Sequence, residues 1–102
     1  MRYDLLIEKW LSNPPANESS DVVESVLVHY FGTECLKSKA GSSHQYRIKD
    51  LRLADLTQFA PYGYLSVPIS GGQKVKKVYL KQIAQAVKYI EYLKSLKGSE
   101  DE

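Results

Sequence analysis

The spacing of apolar positions changes along the chain, and each change predicts an element. In residues 2–12, Leu5, Leu6, Ile7, Trp10 and Leu11 recur at helical spacing. Pro14-Pro15 ends that helix, because proline lacks the amide hydrogen that the next turn needs, and Asn13 to Ser20 reads as a polar connector. Asp21, with Glu24 three residues on, has the form of a capping signal. Beyond it Val22, Val23, Val26, Leu27, Tyr30 and Phe31 share one helical face, and Gly32 stops the helix.

From Thr33 the period drops to two. Thr33 to Lys39 and Ser43 to Lys49 alternate about a turn at Ala40-Gly41-Ser42, which predicts a hairpin. In its second strand His44, Tyr46 and Ile48 oppose Gln45, Arg47 and Lys49, so one face is mixed and the other basic. Asp50 to Gly63 carries Leu51, Leu53, Leu56 and Phe59, too apolar for a free loop, and predicts a helical turn before Pro61. Tyr64 to Ser70 reads as a third strand with Leu65, Val67 and Ile69 inward. Pro68 places it at a sheet edge or turns its own side outward, and Gly71-Gly72 closes it. From Val78 to Leu96, Leu80, Ile83, Ala86, Val87, Ile90 and Leu93 mark the longest helix. Gly98 to Glu102 reads as a frayed acidic tail. The order is helix, helix, strand, strand, strand, helix: an α+β domain.

Bulk properties narrow the class. The chain has 102 residues, 43% hydrophobic and 25% charged, which fits one globular domain with a modest core. No stretch approaches the ~20 apolar residues of a membrane span, so a membrane partner is not expected. The first residues lack the long apolar run of a signal peptide. The lone Cys35 excludes an internal disulfide framework and fits a cytoplasmic location. No His/Cys/Asp/Glu spacing has the form of a metal site, and no cofactor is implied.

Net charge is only +2, but it is segregated. Residues 1–34 hold two basic against six acidic side chains, residues 35–81 nine against two, and residues 82–102 three against four. The middle of the chain is therefore strongly cationic between acidic flanks. That distribution points to a polyanionic partner, with a solvated lysine face as the plainer alternative.

The stretch Lys39-Ala40-Gly41-Ser42-Ser43-His44-Gln45-Tyr46-Arg47-Ile48 lies in this basic region. A Gly-Ser turn leaves backbone amides open to an anion, and Lys39, Arg47 and Lys49 surround it with positive charge. Histidine exchanges protons near neutral pH. An anion site, a proton-transfer group and a cationic surround are what phosphodiester cleavage requires. An ordinary hairpin with a surface histidine offers the same three features.

Two motifs narrow that choice. Gly41-Ser42-Ser43-His44 follows a basic residue into the second strand. Downstream, Leu65-Ser66-Val67-Pro68-Ile69, then Gly71-Gly72-Gln73-Lys74-Val75-Lys76, then Leu80-Lys81-Gln82-Ile83 occur in order. With the surrounding elements, residues 21–93 resemble the HicA family of toxins, small ribonucleases of toxin–antitoxin pairs. The resemblance implies a fold like the double-stranded RNA-binding domain (dsRBD-like, α-β-β-β-α), a three-stranded antiparallel sheet with helices packed on one face. An extra N-terminal helix and connector (1–20) would precede the HicA-like domain (21–97), and a disordered tail (98–102) would follow it. It also implies a metal-independent endoribonuclease acting on mRNA, restrained by a HicB-like antitoxin protein that covers the basic face. Three features differ from the family pattern: Ser70 stands where many members carry histidine, Asp50–Gly63 replaces a tight turn, and the N-terminal helix is additional.

Cleaving RNA without a metal takes a base on the ribose 2′-hydroxyl and an acid at the leaving 5′-oxygen. Resemblance and chemistry both nominate His44, and a cationic surround favours its neutral form. Gly41 and Ser42 allow the backbone close to a phosphate. Lys39, Arg47, Lys49, Lys74, Lys76 and Lys77 are the candidate RNA and phosphate contacts. His29 lies at the border of an apolar stripe and reads as structural or solvated, and Cys35 as a buried thiol. Tyr62 and Tyr64 either stack on bases or pack against the last helix; Tyr79, Tyr89 and Tyr92 read as helix-surface packing. Two non-catalytic alternatives stay open. One is an RNA-binding module on the same fold; the other is a protein-docking domain using Leu51–Phe59 and the N-terminal helix.

Overall fold

The computed structural model describes residues 2–32, 45–71 and 73–100. In chain order the elements are α1 (Tyr3–Ser12), β1 (Asn17–Ser19), α2 (Ser20–Phe31), β2 (Gln45–Lys49), two 3-10 turns (Leu51–Asp55 and Thr57–Phe59), β3 (Tyr64–Pro68), β4 (Lys74–Lys76) and α3 (Lys77–Glu100). This is an α+β architecture. The expected first strand of the hairpin, Thr33–Lys39, and its turn lie outside the described residues.

Among the described residues the strands form two antiparallel pairs, and the three-stranded sheet expected from the sequence is not seen within them. β2 lies against β3 with Arg47 opposite Ser66, Ile48 opposite Leu65 and Lys49 opposite Tyr64. β1 lies against β4 with Glu18 opposite Val75. The β1–β4 pair corrects the expected connector: Asn17–Ser19 within it is a strand, and Lys74–Lys76, after Gly71-Gly72, is its partner. Three-residue strands of mostly polar side chains carry no period-2 signal, so only the pairing reveals them. The closing turn also differs from expectation. Gln73 takes up the left-handed backbone (φ 55°), and its carbonyl accepts the Ser20 N–H at 2.9 Å.

Helix ends follow local chemistry. The Ser19 side chain accepts from the Asp21 N–H at 3.2 Å, so Ser19 and not Asp21 is the N-cap of α2. Asp21 sits in the first turn, where a carboxylate faces the positive end of the helix. Gly32 ends α2 with φ 84° and donates its N–H to Val28 at 2.9 Å. At the other end of the chain, α3 runs to Glu100 and so extends into the segment expected as a tail.

One core joins all of these elements. Ile7 and Trp10 of α1, Val23, Val26 and Leu27 of α2, Tyr46 and Ile48 of β2, Leu65 and Val67 of β3 and Leu80, Ile83, Val87 and Ile90 of α3 are buried together. The N-terminal helix is thus part of the domain. It packs along α3, with Lys88 and Glu8 paired across the contact. The wholly buried Trp10 donates its indole N–H to Glu18 Oε1 of β1 at 3.4 Å. Tyr46 reaches α2, its hydroxyl donating to Glu24 Oε1 at 2.9 Å. Burial, with help from that carboxylate, raises the Tyr46 pKa well above the ordinary tyrosine range.

The Asp50–Gly63 segment is structured and mostly turned inward. Leu53 and Phe59 are buried and Leu56 is partly so, leaving Leu51 exposed. Much of the apolar surface considered for protein docking is therefore spent inside the fold. Its outer edge is tied to α3 by Tyr89 Oη donating to Asp55 Oδ2 at 2.6 Å and by Gln58 bonded to Gln85 at 3.1 Å. Its neck is closed by the Asp50 N–H donating to the Gly63 carbonyl at 3.0 Å. Asp50 also accepts from the Arg52 N–H and pairs with its guanidinium, which holds its carboxyl below the usual range.

Gly63 has φ 78°, and a Cβ there would lie 2.0 Å from the Asp50 carbonyl oxygen. Gly63→Ala should therefore cost on the order of 1–3 kcal/mol from backbone strain alone, read as a lowered midpoint in urea unfolding. Gly71→Ala, with open space around its Cβ, is the control and should unfold near the wild-type midpoint.

Candidate nucleic-acid interface

The β2–β3 pair separates an apolar face from a cationic one. Tyr46, Ile48, Leu65 and Val67 point into the core, so the alternate residues Arg47, Lys49 and Tyr64 stand in solvent. Register sets Lys49 directly across from Tyr64. The Arg47 guanidinium carbon lies 5.9 Å and Lys49 Nζ 5.6 Å from the centre of the Tyr64 ring. Both are within cation–π range. Tyr62 adds a second ring, 6.3 Å from Tyr64 and inclined to it by 65°.

Tyr62 and Tyr64 are 62% and 44% exposed. Neither ring is buried, and each leaves a substantial surface open to an external partner. The Asp50–Gly63 segment turns Leu53, Leu56 and Phe59 inward and brings Tyr62 out beside the strand.

A second basic group lies at the β4–α3 junction. Val75 is buried, so Lys74 and Lys76 face out on either side of it, and Lys77 opens α3. No acidic residue occupies the first turn of α3, where one would normally favour the helix dipole. The Lys77 N–H donates to the Ala16 carbonyl at 3.1 Å, which anchors this junction to the chain before β1. A shallow cleft of about 370 Å³ lies beside it, lined by Leu11, Pro14, Lys77, Val78 and Lys81 among others.

Arg2, Arg52 and Lys88 are each matched by a carboxylate, from Asp4, Asp50 and Glu8. Among the described residues, Lys49, Lys74, Lys76 and Lys77 join no salt bridge. Unmatched cations on exposed strands keep their field available to an external anion.

The sequence-nominated residues thus fall into three sets. Arg47 and Lys49 are together on the outer face of β2. Lys74, Lys76 and Lys77 are together at the start of α3. His44, Lys39, Gly41 and Ser42 lie outside the described residues, as does Cys35. Ser70, at the position where a second histidine was considered, donates its hydroxyl to the Lys74 carbonyl at 3.0 Å, and its N–H donates to the same oxygen.

His29 takes no part in this face. It stands on the outside of α2, stacked on Tyr3 at 4.3 Å and edge-on to Tyr30 at 4.7 Å. Sequence reasoning did not find this aromatic group, because Tyr3 and His29 meet only through the docking of α1. The same holds for the Glu24–Tyr46 bond. Among the described residues no three His, Cys, Asp or Glu side chains converge in a way that could hold a metal ion, and no helix is long and apolar enough to cross a membrane.

In comparisons with protein-family models, with curated proteins and with solved structures, no match to this chain is found.

Proposed function

We propose that this chain is a HicA-like endoribonuclease, the toxin of a type II toxin–antitoxin pair, cleaving mRNA without a metal and using His44 for proton transfer. The observation that carries the proposal is the outer face of β2. Arg47 and Lys49 stand exposed there, on the strand that follows His44 in the chain by one residue. In this reading the Gly41-Ser42 turn and Lys39 receive the scissile phosphate. Arg47 and Lys49, with Lys74, Lys76 and Lys77 on the flank, hold the RNA backbone and offset the charge that develops on the phosphorane. The fold is then a dsRBD-like core built on β2–β3, α2 and α3, and β1–β4 with α1 is an elaboration. A HicB-like antitoxin would silence the enzyme by covering these cations.

Attack of the ribose 2′-hydroxyl on the adjacent phosphorus breaks the bond to the 5′-oxygen. It leaves a 2′,3′-cyclic phosphate on one fragment and a 5′-hydroxyl on the other, with no water consumed in that step. Purified protein incubated with single-stranded RNA in EDTA should release fragments bearing those ends. A 3′-hydroxyl with a 5′-phosphate, or cleavage restored only by added divalent metal, would be the wrong chemistry for this proposal.

A non-catalytic RNA-binding module is the second reading, and the Ser70 geometry favours it. With its hydroxyl donated to Lys74, Ser70 supplies no second proton-transfer group. This reading expects salt-sensitive RNA binding with no fragments under any of these conditions.

A further inference from the structure

The outer face of β2–β3 matches its cations to rings. Arg47 and Lys49 flank Tyr64, and Tyr62 stands next to it as the most exposed aromatic ring described. A solvated lysine face gains nothing from two large rings held out of the core, since burying a tyrosine elsewhere in the fold would be favourable. Cations that follow a phosphate backbone, interleaved with rings that present a π-face, form the arrangement by which single strands are held.

The rings themselves decide between strand types. Stacked bases in a duplex are parallel and about 3.4 Å apart along each strand. Tyr62 and Tyr64 are inclined by 65°, with centres 6.3 Å apart. Two bases lying flat on these two rings would be splayed by a similar angle, which only an unpaired, unstacked strand permits.

We infer that Tyr62 and Tyr64 form a base-stacking platform that, with Arg47 and Lys49 on the same face, selects single-stranded over double-stranded RNA. That the strand is RNA rests on the ribonuclease proposal; the platform itself rests on the described residues alone. The Asp50–Gly63 segment acquires a role here. It replaces a tight turn between two strands with a folded arm whose end sets Tyr62 beside Tyr64.

The test is binding, measured by fluorescence anisotropy with a short labelled RNA of mixed sequence. It uses full-length protein carrying His44→Ala so that the probe stays intact. Tyr62→Ala and Tyr64→Ala should each weaken binding by roughly tenfold, within about 5- to 150-fold, since a base–aromatic stack is worth ~1–3 kcal/mol. Tyr64→Phe should bind like the parent, because the ring is retained. A duplex of the same sequence should bind more weakly than the single strand and should not respond to either alanine substitution. If Tyr64→Ala disturbs the β-strand, as judged by circular dichroism, Tyr64→Leu tests the same point with a side chain of similar bulk and no π-face.

Unchanged affinity in Tyr62→Ala together with Tyr64→Leu overturns the platform, as does equal affinity for duplex and single strand. The two proposals fail separately. Tyrosine-dependent binding by a wild-type protein that cleaves nothing removes the ribonuclease and keeps the platform. Cleavage by wild type with tyrosine-independent binding does the reverse.

Discussion

His44→Ala is expected to lower RNA cleavage by ~10²–10⁴-fold, the span that a positioned proton-transfer group contributes, with RNA affinity close to that of wild type. Lysine and arginine are protonated at neutral pH and serve as electrostatic partners, so they cannot remove the 2′-hydroxyl proton efficiently. The other histidine, His29, is engaged with Tyr3 and Tyr30 on α2. Ser70 donates its hydroxyl to Lys74. His44, which the HicA resemblance nominates and which follows Gly41-Ser42 closely in sequence, is the residue suited to neutral-pH proton exchange. The measurement is single-turnover cleavage of a labelled single strand in EDTA, with binding followed in parallel. Equal rates for wild type and His44→Ala would remove His44 from the mechanism. A loss of cleavage matched by an equal loss of binding would make it a contact instead of a proton-transfer group.

The second large effect concerns stability. Trp10→Ala should cost about 3–5 kcal/mol, as deletion of a fully buried aromatic side chain does. For a domain of this size that lowers the melting temperature by roughly 15 °C or more. Trp10 is the largest of the wholly buried side chains, and it connects α1 both to the core and, through Glu18, to β1. Its removal leaves a cavity where the N-terminal helix meets the β1–β4 pair and takes one donor from the Glu18 carboxylate, which keeps the Ser19 N–H. Total stability for such a domain is of order 5–15 kcal/mol, so a large share of it would be lost. Leu5→Ala on the same helix is the control. Leu5 is 56% exposed, and its replacement should shift stability by no more than ~0.5 kcal/mol. A Trp10→Ala loss under about 1 kcal/mol would mean that α1 is an appendage, as its place outside the HicA resemblance implied, and not part of the core.

The two predictions draw on different levels of structure. The cationic half of the candidate site was legible from parity alone. Once Tyr46 and Ile48 are assigned inward, Arg47 and Lys49 must face out, and the fold places them so. The rings were not decidable from sequence. Tyr62 follows a proline in a segment without a clear period, and whether it packs on α3 or stands in solvent depends on how Leu53 and Phe59 seat themselves. The cap of α2 was displaced by two residues because Ser19 and Asp21 both offer an acceptor, and the pairing of β1 with β4 determines which backbone stays extended.

Local periodicity by itself therefore determined α2, α3 and the faces of β2 and β3, because a repeat of 3.6 or 2 is written into any window of eight to ten residues. The count of charged residues along the chain determined that its middle would be cationic. Only the tertiary structure decided that α1 belongs to the core, that Asn17–Ser19 pairs with Lys74–Lys76, and that Glu24 meets Tyr46. It alone set Tyr62 and Tyr64 out beside Arg47 and Lys49. The reason is common to all four. Each depends on which distant segment supplies the partner, and three polar residues or one aromatic ring carry no signal that names a partner far along the chain.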